Sequence, residues 1–240
     1  MNLELDTHTH TVASGHAYSS LNEMALAASQ KGLKIMATTD HGPAMPGGAH
    51  IYHFHNLRVI PKLISGVRIL RGVEANIIDY TGRLDIPTDI LSEMELVVAS
   101  FHGPCIEPST PIKTTEALIN LMENKNVDII GHPEDSRYRF DYVNVVKKAK
   151  ESKTLLELNN SSLLPTTFRE NSREGLIKIL EICGNEGAKI VLGSDSHHTS
   201  SVGRFDMAIK LIDEIGFPKE LVINQDSDEF LNYISRDIKW

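Results

Sequence analysis

Short apolar runs recur along the chain, and each is followed by polar residues and then by a segment of helical periodicity. Leu3 and Leu5 mark the end of a first strand. Further strand runs are Ile35–Thr38, Val67–Leu70, Leu96–Ala99, Val127–Ile130, Thr154–Leu158 and Ile190–Leu192. The segments between them read as helices. Ser20 and Glu23 form a capping box that opens one to about Gln30, and Gly32 stops it. Others are expected over Tyr52–Ile64, 114–124, Asp141–Ser152, Ser172–Cys183, 204–215 and 227–233, and residues 42–50 read as a Gly/Pro-rich loop. Alternating strands and helices imply a parallel sheet. Polar residues after every strand favour a closed barrel, whose loops at that end build the site. An open doubly wound sheet, which gathers its ligands at one switch point, is the alternative.

Length and composition fit this architecture. The 240 residues are 41% apolar and 23% charged, ample for one core, and no linker divides residues 1–240, so a single domain is expected. No run approaches the ~18 apolar residues of a membrane span, and no basic-then-apolar leader is seen, so a cytoplasmic protein is expected. Cys105 and Cys183 form no disulfide framework or zinc motif. The net charge of −8 argues against a nucleic-acid or membrane-surface partner.

Eleven histidines is a high count for this length, and their placement is not random. His8 and His10, spaced to share one face of a strand, follow the first apolar run. His16, His41, Glu74, His102, His132, Asp195 and His197 follow this and later runs. Any one of them could be a hydrogen-bonded core histidine or a helix-capping acid. Nine at the same end of successive strands would crowd imidazoles together without a partner, which is costly. Nine donors suffice for three metals with three protein ligands each, and one bridging carboxylate would tie two of them together. Mostly nitrogen donors without thiolate favour zinc, manganese or iron over magnesium or calcium. Three divalent ions against Glu74 and Asp195 leave a site of about +4, which attracts phosphate. No Gly-x-Ser-x-Gly or Walker-type loop is present.

These residues resemble the PHP (polymerase and histidinol phosphatase) superfamily. The stretches 11–19 (Thr-Val-Ala-Ser-Gly-His-Ala-Tyr-Ser), 39–43 (Thr-Asp-His-Gly-Pro), 70–76 (Leu-Arg-Gly-Val-Glu-Ala-Asn) and 157–162 (Glu-Leu-Asn-Asn-Ser-Ser) are most similar to its YcdX-type phosphatases. The resemblance runs nearly end to end. It implies a distorted (β/α)7 barrel of the PHP type with a trinuclear metal site, usually zinc. It implies that His8, His10, Glu74 and Asp195 hold one ion, that Glu74, His102 and His132 hold a second, and that His16, His41 and His197 hold a third.

The expected activity is hydrolysis of phosphate monoesters of small molecules by a hydroxide activated at that site, with no further catalytic residue named. Asp40 and His198 are candidates for protonating the leaving group. Asn159 and Asn160 are expected to back the ligands. His50, His53 and His55 would form a lid or a solvated edge, and Arg58 would meet phosphate or solvent. A polymerase-associated type of phosphodiesterase or nuclease, a histidinol phosphatase, a binuclear amidohydrolase and a non-catalytic metal-binding module are the alternatives. A homo-oligomer is compatible with the sequence.

Overall fold

The computed structural model describes residues 1–234. Its strands are β1 (Leu5–Asp6), β2 (Ile35–Thr38), β3 (Leu63–Ile64), β4 (Val67–Asn76), β5 (Leu96–Ser100), β6 (Ile129–Ile130), β7 (Leu155–Asn159) and β8 (Ile190–Gly193). Its helices are α1 (Leu21–Gln30), α2 (Ile51–Asn56), α3 (Thr88–Leu91), α4 (Pro111–Glu123), α5 (Tyr142–Ser152), α6 (Ser172–Glu186), α7 (Asp206–Ile215) and α8 (Ser227–Ile234). The order β1-β2-β4-β5-β6-β7-β8 is parallel throughout, and β3 is an antiparallel flap on β4. The result is the expected α/β barrel of (β/α)7 type.

The period of two along each strand sorts side chains between two cores. Leu5, Ile35, Ala37, Leu70, Leu96, Val98, Ile129, Leu155 and Val191 form one cluster with Ile223 and with Phe230 of α8. Intervening residues such as Val73, Val97, Leu156, Leu158 and Leu192 join a second cluster with helical residues such as Leu118, Val145 and Leu180. Continuing the first register along the strands leads from Leu70 to Glu74 and Asn76, and from Leu155 to Glu157 and Asn159. The same face is therefore apolar at the start of a strand and polar at its end.

No regular ladder joins β1 to β8. The seam is stitched by the buried side chain of Asn224. Its Oδ1 accepts from Leu192 N (2.7 Å), and its Nδ2 donates to Leu192 O (2.9 Å) and Leu5 O (3.1 Å). Asp6 completes the seam by accepting from Ser194 N (3.1 Å) and Gly203 N (2.9 Å). A single parallel bridge, Thr9 to Ser196, follows.

Four elements differ from expectation. The helix expected over Tyr52–Ile64 ends at Asn56, passes through a 3-10 turn (Leu57–Val59), and gives way to β3. Pro61 has no N–H to continue a helix. Ser65 and Gly66, at φ 52° and 81°, make the tight turn into β4. β4 runs to Asn76 rather than Leu70 because Arg71 is not solvated. It is buried against Glu95 (Nε to Oε2, 2.7 Å), so the strand continues inside the protein. β6 keeps only two residues of the expected Val127–Ile130, and short α3 was not anticipated.

Replacing Asn224 by alanine leaves Leu192 N and Leu5 O at the seam without their partner and Leu192 O with only the long bond from Thr7 Oγ1 (3.4 Å). At roughly 1–3 kcal/mol for each buried group left unpaired, with partial relaxation, we expect Asn224→Ala to destabilise the protein by about 2–4 kcal/mol. A lower urea midpoint at unchanged m-value would show it.

Candidate metal centre

Glu74, inside β4 and fully buried, is the point on which the histidines converge. His132 Nε2 lies 2.9 Å, His102 Nε2 3.3 Å and His8 Nε2 3.4 Å from its Oε1. His41 Nδ1 lies 2.6 Å and His10 Nε2 3.5 Å from its Oε2. Asp195 Oδ1 approaches His10 Nε2 (3.3 Å), His197 Nδ1 (3.6 Å) and His8 Nε2 (3.7 Å). The His16 ring stacks on His41 and His197 with centroids 4.9 Å from each. All nine candidate residues therefore share one site, graded from deeply buried His8 and His10 to half-buried His197 and exposed His16.

The imidazoles are oriented from behind. His8 Nδ1 is 2.7 Å from Glu157 Oε1, His102 Nδ1 is 2.8 Å from Asn76 Oδ1, and His10 Nδ1 is 3.1 Å from Ser14 Oγ. Each contact fixes one ring nitrogen and aims the other at the centre, as outer partners of metal-ligating histidines do. Glu157 also accepts from His132 N (2.7 Å) through Oε2. A Cβ at Gly193 would overlap Glu157 Oε1, so only glycine leaves that carboxylate its place. His132 and Asp195 have φ of 28° and 53°, strained for residues with a side chain and common where a site holds them.

Charge and burial act against each other here. Burial opposes ionisation of Glu74, yet His102, His8 and His41 hold its pKa well below the usual carboxylate range. Burial also opposes a charged His8, but Glu157, Glu74 and Asp195 outweigh it and hold its pKa well above the ordinary value. His102 falls to about 4, chiefly by burial, and His10 falls for the same reason with His41 and His197 adding repulsion.

His8 Nε2, His10 Nε2, His41 Nδ1 and Glu74 Oε2 are buried without any hydrogen-bond partner among the described residues. The donor atoms of His8, His10 and Glu74, of His41, Glu74 and His102, and of His10, His41 and His197 each lie within 4.8 Å of one another. Ring nitrogens and a carboxylate oxygen that converge without hydrogen-bond partners suit a divalent cation of the nitrogen-preferring kind. His132 and Asp195 adjoin these groups through Glu74 and His10, whereas His16 touches them only by ring stacking.

Some of the remaining candidates take the roles expected of them and others do not. Asp40 is held as an acceptor behind the histidines. Its oxygens accept from Thr11 N (2.7 Å), Thr11 Oγ1 (2.8 Å) and Ser14 Oγ (2.7 Å). Burial works against its charge, but His53, His10 and these bonds hold its pKa well below the carboxylate range. It therefore anchors the Ser14 that holds His10. His198 is exposed, caps a 3-10 turn and lies on the wall of the cavity beside the site. His50 caps α2, His53 Nε2 sits 3.5 Å from Asp40 Oδ2, and His55 lies 3.7 Å from Glu93, so none of the three lines the cavity over the site. Arg58 is exposed. Asn159 does back the site, donating to Glu157 and Asp195 (3.1 and 3.3 Å), while Asn160 caps α7 at Met207 and Ala208.

Sequence reasoning missed Glu157, Asn76, Ser14 and Arg169. Arg169 is buried and bonds Asp195 Oδ2 at 2.8 Å. Glu157 was legible in retrospect as an acid in register with Leu155 on an apolar strand. Arg169, in an irregular segment, carried no such signal.

The fold and site define a class, an α/β barrel with a polyhistidine and carboxylate centre of metal-binding type at the C-terminal ends of its strands. The chain belongs to the PHP domain family, whose profile matches residues 6–235. It is 50% identical over 236 residues to a probable phosphatase of Acetivibrio thermocellus, covering 98% of this chain and 97% of that protein. A probable phosphatase of Clostridium novyi is 47% identical over 234 residues, covering 98% and 95%. A histidinol phosphate phosphatase from Lactococcus lactis, solved with zinc, L-histidinol and phosphate, shares the fold with a TM-score of 0.60. It is 19% identical, with coverage of 90% of this chain and 94% of that one. Among the described residues no helix is long and apolar enough to cross a membrane.

Glu157, Glu74 and Asp195 favour a proton on His8 at the place where a metal would bind, and an imidazole must give up its proton to ligate. We expect metal loading to release protons and to tighten as pH rises towards the His8 pKa. Calorimetry in buffers of different ionisation enthalpy reads this directly. Glu157→Gln removes the main support for the charged imidazole. It should shrink the proton release and weaken metal binding by about 10–100-fold, measured by chelator competition.

Proposed function

We propose that the protein is a metal-dependent phosphatase that hydrolyses phosphate monoesters of small molecules at a trinuclear centre. Zinc is the expected ion, with manganese or iron as alternatives. The observation that carries this reading is Glu74 ringed by five imidazoles, three of which (His8, His10 and His41) keep a buried ring nitrogen without a hydrogen-bond partner among the described residues, beside a cavity of about 710 Å³. His8, His10, Glu74 and Asp195 would hold one ion, Glu74, His102 and His132 a second, and His16, His41 and His197 a third. Bound ions supply Lewis acidity, a lowered pKa for water, and a clamp on phosphate oxygens.

The rest of the chemistry is that of the chain. Glu157, Asn76 and Ser14 keep the imidazoles in the tautomer that presents a lone pair inward. Arg169 holds Asp195 by one oxygen and leaves the other facing His8 and His10. Deep burial of His8, His10 and Glu74 keeps bulk water from competing for them. The partner expected from this centre is a small phosphorylated molecule. The observations favour a monoesterase over a nuclease, since the protein is acidic and the site lies in a cavity rather than along a basic track.

The test is metal content on protein purified without chelator, with an aryl phosphate and an aryl phosphodiester assayed on the same sample. We expect about three ions per chain and turnover of the monoester. Diester cleavage alone would replace this reading by a nuclease, and one ion or none after reconstitution would remove the nine-ligand centre. Glu74→Gln should lower the ion count and reduce monoester turnover by more than the roughly 10–100-fold typical of an outer contact. Chelation should abolish turnover, and zinc should restore it.

A further inference from the structure

The cavity reaches well beyond the histidines. Its volume of about 710 Å³ lies in the ~300–1,000 Å³ range of small-molecule sites and far exceeds the needs of a phosphate group. Away from the centre, Tyr18, Met45, Pro46, Phe101, Leu164 and Phe168 contribute apolar wall. Phe168 is 72% exposed. A lone exposed aromatic needs no explanation, but this ring faces a cavity shared with the candidate ligands His16, His41, His102, Asp195 and His197.

Two guanidinium groups flank it. Arg169 Cζ lies 5.3 Å and Arg137 Cζ 5.9 Å from the Phe168 centroid. Arg169 is committed to Asp195. Arg137 is committed on one side only. Its Nε donates to Asp135 Oδ1 and Oδ2 (3.0 Å each), and its Nη2 donates to Oδ2 (2.5 Å). Its Nη1 lies against Gly103, 3.5 Å from where a Cβ would stand, on the cavity wall. A guanidinium clamped by a carboxylate at Nε and Nη2 keeps the donors of Nη1 in a fixed direction. The carboxylates on the wall, Asp135 and Asp195, are each paired with an arginine, so neither is a bare charge that would repel an anion.

We propose that Arg137 and Phe168 form the subsite for the leaving group, and that the substrate is a phosphate monoester of a planar ring bearing a second acidic group. This rests on the phosphatase reading for the fate of the phosphate. The ring of the substrate covers Phe168, and its acidic group takes the free donors of Arg137 as a charge-assisted pair.

Stable phosphonates separate recognition from turnover. Zinc-loaded protein is titrated calorimetrically with 4-carboxyphenylphosphonate, phenylphosphonate and propylphosphonate, and the same preparation is assayed with phenyl phosphate. We expect the carboxylated ligand to bind tighter than phenylphosphonate by about tenfold or more, and Arg137→Gln to erase that difference. Phe168→Leu, at a solvent-facing position, should weaken both aryl ligands relative to propylphosphonate. Equal affinities in the wild type overturn the inference. So does a variant of Arg137 that weakens both aryl ligands by the same factor, because Arg137 would then be meeting the phosphoryl group. Unchanged aryl preference in Phe168→Leu overturns the planar-ring half. Turnover of phenyl phosphate without a carboxylate preference removes the subsite and keeps the phosphatase. A carboxylate preference without turnover does the reverse.

Discussion

The structure depends on one carboxylate in an environment that ordinarily forbids it. Glu74 has no solvent contact, and five imidazole nitrogens lie within 3.5 Å of its oxygens. A buried charge needs compensation by opposite charge or by donors. The surrounding histidines provide it only partly, since several point lone pairs rather than protons at the centre. Much of the barrel's polar end is arranged to support that unresolved balance. Glu157, Asn76, Ser14 and Asp40 hold the imidazoles from behind, and His132 and Asp195 accept strained backbone at about 1–3 kcal/mol each. A divalent cation bound among these groups would complete the balance, and its binding would then couple to folding.

The barrel supplies rigidity for this through its alternation. The strand face that packs Leu70, Leu96 and Leu155 into an apolar plug presents polar groups a few residues later, so the centre sits directly on a packed core. The seam between the first and last strands is the exception. There a side-chain amide replaces a ladder, and Asp6 gathers the backbone leading to Ser194 and Gly203. His8 and Asp195 flank this seam. Closure of the barrel and alignment of the site are therefore the same structural event.

Much of the fold was legible because its signals are local. A capping box at Ser20, apolar runs of strand length and turn residues between them are properties of short segments. The misreadings have local causes too. The apolar content of Tyr52–Ile64 outweighed Pro61, and the apparent end of β4 at Arg71 came from reading a charged residue as solvated. Burial beside Glu95 is a long-range fact that no window on the chain contains.

By itself the sequence determined the alternation of strands and helices, and the gathering of histidines and acids at the strands' C-terminal ends. Both follow from periodicity and from the direction of the chain. Tertiary structure alone decided which atoms face one another. Glu157 meets His8 across 149 positions and Arg169 meets Asp195 across 26, and Arg137 and Phe168 reach one cavity from separate segments. Those pairings are set by barrel closure and by packing of irregular loops. Neither leaves a mark in residue spacing, because the distances involved are spatial and the chain between the partners is free to vary.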